Sequence, residues 1–228
     1  TDTSNNFYIT GYAEVAGNQN VQTIKLDSNL NLVWIADYVG DYNDVGKGVT
    51  VDELGNVFVT GYSEQSDGSH KALTIKYDGS GNELWVQQFG DNENGLGAKS
   101  EKVAINGDSE VYITGIVESS DTIGRYFFNK YTTNGQLLLS TEYSSYGVGD
   151  TAFDIHVLAD TVYVTGLSST PTGQRMTALK YTLLQDVNYS YFYLNDEQSI
   201  WCQQPGMYSF MLNDSSKYTG TLQLTIPR

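Results

Sequence analysis

Short segments in which apolar and polar residues alternate recur along this chain at an almost constant spacing. The clearest copies end in Thr-Gly and occupy residues 7–11, 57–61, 111–115 and 162–166. The glycines that end them are 50, 54 and 51 residues apart. Because alternation with a period of two is the pattern of a half-buried β-strand, each copy predicts a strand.

Further features repeat in phase with these strands. A lysine within an apolar run follows each Thr-Gly by 14 or 15 residues, at Lys25, Lys76, Lys130 and Lys180. Thirteen residues beyond each lysine stands an aromatic side chain, and alternating segments such as 49–52 precede the next copy. Runs rich in Gly, Asn and Asp separate these segments, and such residues tolerate the positive φ of tight hairpins. Each period therefore predicts four short antiparallel strands.

Four strands in about 50 residues is the unit of a β-propeller blade. The sequence predicts an all-β, propeller-type array of four four-stranded repeats over residues 1–193. Their approximate bounds are 1–52, 53–106, 107–158 and 159–193. Residues 194–228 leave the pattern and are predicted to form a divergent terminal blade, a cap or the start of a small β domain. A closed ring and an arc of a larger propeller both fit.

The first copy starts late, because it lacks a counterpart of the strand at 49–51. Either an upstream segment or the carboxy-terminal tail is expected to pair with its open edge.

The second repeat carries the most specific motifs. They are Asp-x-x-Gly-Asn-Val-Phe-Val-Thr-Gly at 52–61, Thr-Ile-Lys-Tyr-Asp at 74–78 and Gly-Asn-x-Leu-Trp at 81–85. In these motifs the chain resembles the SBBP β-propeller repeat family. The resemblance covers roughly residues 1–193 and implies a large secreted or surface-exposed bacterial protein. The family has no shared catalytic residues, so the resemblance implies no catalytic site.

Charge and rare residues narrow the choice of function. Lys and Arg number 12 against 27 Asp and Glu, and the formal net charge of -15 opposes binding to nucleic acid or anionic membranes. No run approaches the roughly 20 apolar residues of a membrane-spanning helix. The single Cys202 excludes an internal disulfide, and only His70 and His156 offer imidazole. We therefore expect neither a His- or Cys-rich metal centre nor catalysis by these histidines.

Two acidic loops occupy the same place in successive repeats, at 41–44 and 91–94. Their oxygen-bearing side chains are the hard ligands that calcium prefers. The candidate ligands are Asp41, Asn43, Asp44, Asp91 and Glu93. Neither loop matches an EF-hand, so we favour solvated turns over a calcium site. No other cofactor is expected.

The phased lysines and the tyrosines are further candidate site residues. The lysines either ring a channel and bind an anion, or lay their alkyl stems on neighbouring strands and pair with acids such as Asp52; we favour the second interpretation. The tyrosines placed in loops or at strand ends are the better candidates for ligand contact. They are Tyr12, Tyr42, Tyr62 and Tyr146.

The pattern as a whole favours a non-catalytic extracellular binding or scaffold module that contacts protein or polysaccharide. One alternative is a self-assembling structural subunit that adds strands through open edges or its tail. The other is a glycan hydrolase or lyase, which requires at least two convergent acids or a His of perturbed pKa in a deep pocket.

Overall fold

The described part of the chain consists of antiparallel β-strands joined by turns, with no helix. The computed structural model describes residues 1–90, 97–118, 124–145, 149–159, 161–170, 173–183, 190–194, 198–200, 207–214 and 218–225. The predicted all-β class is therefore confirmed over these residues.

The strands are short, as the period-two segments predict. In chain order they are β1 Phe7–Val15, β2 Asn18–Leu26, β3 Leu32–Tyr38, β4 Asp44–Val51, β5 Val57–Glu64, β6 His70–Tyr77, β7 Glu83–Phe89, β8 Ala98–Ile105, β9 Val111–Val117, β10 Arg125–Tyr131, β11 Leu137–Ser145, β12 Asp150–Leu158, β13 Thr161–Thr170, β14 Gly173–Leu183, β15 Ser190–Leu194, β16 Gln198–Ile200, β17 Met207–Asp214 and β18 Tyr218–Thr225.

Over the described residues these strands form four sheets. The first has the order β1-β2-β3, the second β4-β5-β6-β7, the third β17-β18-β11-β10-β9-β8 and the fourth β12-β13-β14-β15-β16. Only the second consists of four strands alone, whereas the third adds β17 and β18 to β8–β11 and the fourth adds β16 to β12–β15. The first lacks a counterpart of β4, so β1 is its edge. The described tail strands do not pair with it: β18 pairs with β11 and β17, and β16 pairs with β15.

The apolar cores within the described residues lie between consecutive sheets. One core joins Val21 and Ala36 of the first sheet to Val59 and Ile75 of the second. A second core lies between the second and third sheets, and a third between the third and fourth. Each sheet is thus stabilised by the faces of its neighbours.

A five-residue turn closes most of the hairpins at one end of the sheets. In the turn at residues 52–56, Oδ1 of Asp52 accepts hydrogen bonds from the backbone N–H groups of Leu54 and Asn56, at 3.0 and 2.8 Å, and Oδ2 accepts from Asn56 Nδ2. The fourth residue, Gly55, has φ +83°. The same side-chain-capped turn recurs in the described chain at 2–6, 27–31, 78–82, 106–110 and 132–136.

The repeat glycines are explained by a close approach of the neighbouring strand. β4 contains a bulge between Gly46 and Gly48. A Cβ at Gly61 of β5 would collide with the carbonyl oxygen of Val45. Gly115 and Gly166 meet equivalent carbonyl oxygens in the third and fourth sheets, whereas a Cβ at Gly11 would have no atom within 4 Å. Gly11 has this space because no described strand pairs with β1 on the side away from β2.

Two tryptophans join consecutive sheets at the turns. Nε1 of Trp34 donates to the carbonyl oxygen of Gly79 at 3.1 Å, and the indole covers Gly81, where a Cβ would lie 2.9 Å from Cδ2. Trp85 makes the equivalent contacts with Thr133 and Gly135 of the third sheet. Each indole therefore fixes its sheet against a turn of the next.

The repeat glycines provide a matched pair for a stability measurement. We expect Gly61→Ala to lower the free energy of unfolding by at least about 2 kcal/mol, because the new methyl group overpacks against the Val45 carbonyl. Gly11→Ala should change it by less than about 0.5 kcal/mol, since the site is open. Urea unfolding of both variants measures the difference, and equal losses would contradict the close-approach explanation.

The turn glycines separate backbone strain from contact with tryptophan. Gly55 and Gly81 have φ +83° and +87°, but only Gly81 lies under an indole. We expect Gly55→Ala to cost about 1 kcal/mol from the left-handed backbone alone. Gly81→Ala should cost about 2 kcal/mol more because the methyl group meets Trp34. Thermal unfolding checks this, and in a Trp34→Ala background the excess should disappear.

Candidate functional site

The connections opposite the capped turns meet at one end of the sheets, which we call the loop end. Its connections include the β1–β2 turn, segment 39–43 and the β5–β6 turn. Asn43 links the three: Oδ1 accepts from the backbone N–H of Gln19 at 3.0 Å, Nδ2 donates to Glu64 Oε2 at 2.6 Å, and its carbonyl oxygen accepts from the Glu64 N–H at 2.8 Å. The first and second sheets are therefore held together here.

The described candidate tyrosines lie at the loop end. Tyr12 and Tyr42 are 54% and 42% exposed, while Tyr62 is half-buried. Tyr12 and Tyr62 occupy the same repeat position, one residue after the Thr-Gly glycine. Tyr146 lies outside the described residues.

Tyr62 is the centre of a group of charged side chains that also joins the second and third sheets. The edge of its ring meets the His70 ring at a centroid distance of 5.1 Å, and Nζ of Lys99 and of Lys47 lie 5.2 and 5.9 Å from the Tyr62 centroid. The Glu118 carboxylate contacts two side chains: Oε2 lies 3.2 Å from His70 Nδ1, and Oε1 lies 2.8 Å from Lys99 Nζ. We call these five residues the Tyr62 cluster.

The cluster keeps a carboxylate ionised beside the ammonium group of Lys99. Burial raises the pKa of Glu118, but the hydrogen bond and charge of Lys99, together with His70, outweigh it and lower the pKa below its ordinary value. Lys47 is exposed and adds a second ammonium group near the Tyr62 ring. The result is an aromatic surface with two ammonium groups, of which that of Lys99 is paired with Glu118, on a chain whose net charge is -15.

Sequence reasoning missed most of this cluster, although one signal pointed to it. A glutamate follows the repeat glycine by three residues in the first three copies, at Glu14, Glu64 and Glu118. Glu64 binds Asn43, which also binds Gln19 of the first sheet, and Glu118 contacts His70 of the second sheet. Lys47 and Lys99 do not occupy equivalent repeat positions, so periodicity gave no signal for them.

The candidate calcium ligands are not brought together by the described structure. Asp41 is exposed, and both ends of the Asn43 amide take part in contacts between sheets. Asp44 is fully buried and its Oδ2 accepts from the Gly40 N–H at 2.6 Å. Burial raises the pKa of Asp44, against hydrogen bonds from Ser63 and Gly40 that lower it.

In the part of the chain that the structure describes, no three His, Cys, Asp or Glu side chains form a group that could hold a metal ion. Asp91 and Glu93 lie outside that part. The calcium site stays a prediction.

The phased lysines contact neighbouring turns and rings. Nζ of Lys25 and of Lys76 lie 3.4 and 2.9 Å from the carbonyl oxygens of Gly79 and Thr133, which also accept from the tryptophans. Burial lowers the pKa of Lys76, and the charge of Asp52 partly offsets this. These contacts agree with the packing interpretation of the lysines.

The other two lysines follow the same pattern in part. Nζ of Lys130 lies 5.5 Å from the ring centroid of Tyr112 and 2.8 Å from Glu110 Oε1, the kind of acid partner that the sequence predicted. Lys180 lies over the ring of Tyr163 at 5.9 Å.

Two further residues singled out in the sequence are His156 and Cys202. His156 is exposed on β12, whereas Cys202 lies outside the described residues. Across the described ranges, no helix is long and apolar enough to cross a membrane.

Comparison with known families bears directly on the loop end. Residues 36–67 match the family model of the SBBP β-propeller repeat. The resemblance to this repeat family is thereby confirmed. The matched SBBP repeat includes β4, β5, Tyr42 and Tyr62, so part of the loop end belongs to it.

Other similarities are more distant. An uncharacterized WD repeat-containing protein of Acanthamoeba polyphaga mimivirus is 26% identical over 140 residues, which cover 54% of this chain and 9% of that protein. A protein of unknown function from Bacteroides caccae superimposes with a TM-score of 0.40 at 10% identity, over 91% of this chain and 62% of its own. A streptogramin B lyase structure gives a TM-score of 0.31 at 11% identity, over 96% and 98%.

The charge on Glu118 should be visible in the pH dependence of stability. Because its pKa is lowered on folding, the carboxylate contributes stability above the ordinary value of 4.5, and this contribution is lost as pH falls through the folded value. At neutral pH, Glu118→Gln should cost about 1 kcal/mol, a modest figure since the pair is partly exposed. Urea unfolding at neutral and acidic pH should show the difference from the native chain shrinking in acid.

Glu14→Gln is the matched control, since Glu14 has the same repeat position but is exposed. It should unfold like the native chain at both pH values. A pH-independent loss in Glu118→Gln would indicate a packing effect and not an ion pair.

Proposed function

We propose that the four sheets are blades of a β-propeller array and that the chain is a non-catalytic module binding a protein partner through its loop end. The observation that carries this proposal is the Tyr62 cluster, together with the exposed rings of Tyr12 and Tyr42 at the same loop end. Connections between strands are where binding residues concentrate on a rigid scaffold.

The chemistry of this surface favours a protein partner with acidic and aromatic or apolar side chains. Tyrosine is enriched among the residues that dominate protein interfaces, because it buries a large area at little conformational cost. Lys47 and Lys99 provide ammonium groups on a chain that is otherwise strongly acidic. An acidic partner is attracted locally by these groups and repelled by the rest of the surface, which favours one binding position.

The SBBP match and the WD repeat similarity support a binding role, since repeat arrays of this kind present extended binding surfaces. The chain spans less than a tenth of the WD repeat relative, so the partner of any whole protein is part of the proposal. The proposed location, secreted or on a bacterial surface, rests on the SBBP resemblance alone. Exposed tyrosines also stack on sugars, so a polysaccharide is the second candidate ligand.

The role of the loop end can be tested by selection. Panning a phage-displayed random peptide library against the immobilised chain should enrich acidic, aromatic-containing peptides. Their affinity should fall about tenfold or more in Tyr62→Ala and in Tyr42→Ala, because truncating a central aromatic residue of an interface costs about 2 kcal/mol.

Leu54→Ala is the control for this selection. Leu54 is 85% exposed in the capped turn at 52–56, at the end opposite the loop end, and its substitution should leave peptide affinity unchanged. An oligosaccharide array is probed in parallel with the same variants. Peptides insensitive to both tyrosines would contradict the proposed surface, and tyrosine-dependent binding to the array alone would favour polysaccharide.

A further inference from the structure

The outward side of the first sheet is an apolar face on which no other sheet of the described residues packs. We call it the leading face, and its members are Phe7, Ile9, Ile24, Leu26 and Ile35. Ile9, Ile24 and Ile35 form one row across the three strands, and Phe7 lies opposite Leu26 in the next. Ile9 and Ile35 are 51% and 49% exposed.

The second sheet shows what such a face does. Its equivalent positions are Val57, Val59, Ile75, Tyr77 and Val86. The first four are no more than 1% exposed, because they pack against the first sheet. The side chains that cover them include Tyr8, Val21, Trp34 and Ala36. A leading face is therefore built to receive the opposite face of another sheet of the same kind.

The fourth sheet leaves that opposite face exposed. We call it the trailing face, and it contains Tyr163, Thr165, Met176, Ala178 and Lys180. Its residues correspond in register to Tyr8, Thr10, Val21, Thr23 and Lys25 of the first sheet. Val21 and Thr23 are fully buried against the second sheet, whereas Met176 is 91% exposed and Tyr163 is 37% exposed.

We infer that the trailing face of one copy of this chain packs on the leading face of a second copy, head to tail. The contact repeats the packing of the first sheet on the second. Met176 takes the place of Val21 among the leading-face side chains, and Tyr163 takes that of Tyr8. Lys180 then points toward the carbonyl oxygen of Ser28. Ser28 is the counterpart of Gly79, whose carbonyl oxygen accepts from Lys25 within one chain.

Two observations favour a second copy as the occupant. Both faces are exposed in the same molecule, and strong packing within the described residues joins consecutive sheets, so neither face covers the other. The faces are also complementary to each other and not to themselves, which makes the contact heterologous and able to propagate. The inference uses different residues from the loop end and does not depend on the proposed function.

Two charge substitutions test this contact on the full chain. Ile9→Asp blocks the leading face and Met176→Asp blocks the trailing face, and both side chains are exposed enough to retain the fold, which circular dichroism checks. The native chain should increase in mass with concentration when measured by size-exclusion chromatography with light scattering. Each variant alone should associate at least about tenfold more weakly, because a carboxylate is buried unpaired in the contact.

Mixing the two variants is the decisive experiment. Ile9→Asp retains a trailing face and Met176→Asp retains a leading face, so the mixture should form a one-to-one complex that grows no further. Leu54→Asp, an exposed substitution outside both faces, should associate like the native chain. Since repulsion between acidic copies opposes the contact, added salt should strengthen it.

Several results would overturn the inference. A native chain that stays monomeric at all concentrations, or a variant mixture that stays monomeric, excludes the head-to-tail contact. Oxidation of Met176 by peroxide distinguishes contact between two copies from contact of the two faces within one chain. Protection of Met176 that rises with concentration supports the second copy, and protection independent of concentration shows that the two faces meet within one molecule.

Discussion

Each sheet of this chain buries its apolar side chains against neighbouring sheets, and the rest of the structure follows from that constraint. The described cores lie between consecutive sheets, so one face must suit the sheet before it and the other the sheet after it. Stability in such an array is a sum of contacts between neighbours. Side chains at equivalent positions therefore stay similar from repeat to repeat.

The contacts that set one sheet against the next are placed at the turns. A capped turn presents a backbone carbonyl and a glycine with positive φ, and the preceding sheet supplies an indole N–H and an ammonium group to that carbonyl. These contacts occupy one end of the sheets. The loop end has fewer repeated constraints, which leaves it free to carry the Tyr62 cluster and to differ between repeats.

Periodicity in the sequence was sufficient for much of this. It predicted the strands, the turns between them and the packing role of the lysines, because each of these depends on local backbone geometry or on a contact made in every repeat. It also placed Tyr42 in a connection, whereas Tyr12 and Tyr62, predicted in loops or at strand ends, lie within β1 and β5. It did not predict that Asp44 is buried or that Asn43 links two sheets, since both follow from the path of a connection that local patterns do not specify.

By itself, the sequence determined the all-β class and the repeating unit, because alternation and turn residues act over a few positions. The tertiary structure alone decided which side chains meet across sheets. Lys99 and His70 reach Tyr62 from separate strands, and their spacing along the chain carries no trace of that contact. The same holds for the unpaired leading and trailing faces, whose exposure depends on which neighbouring sheet is present.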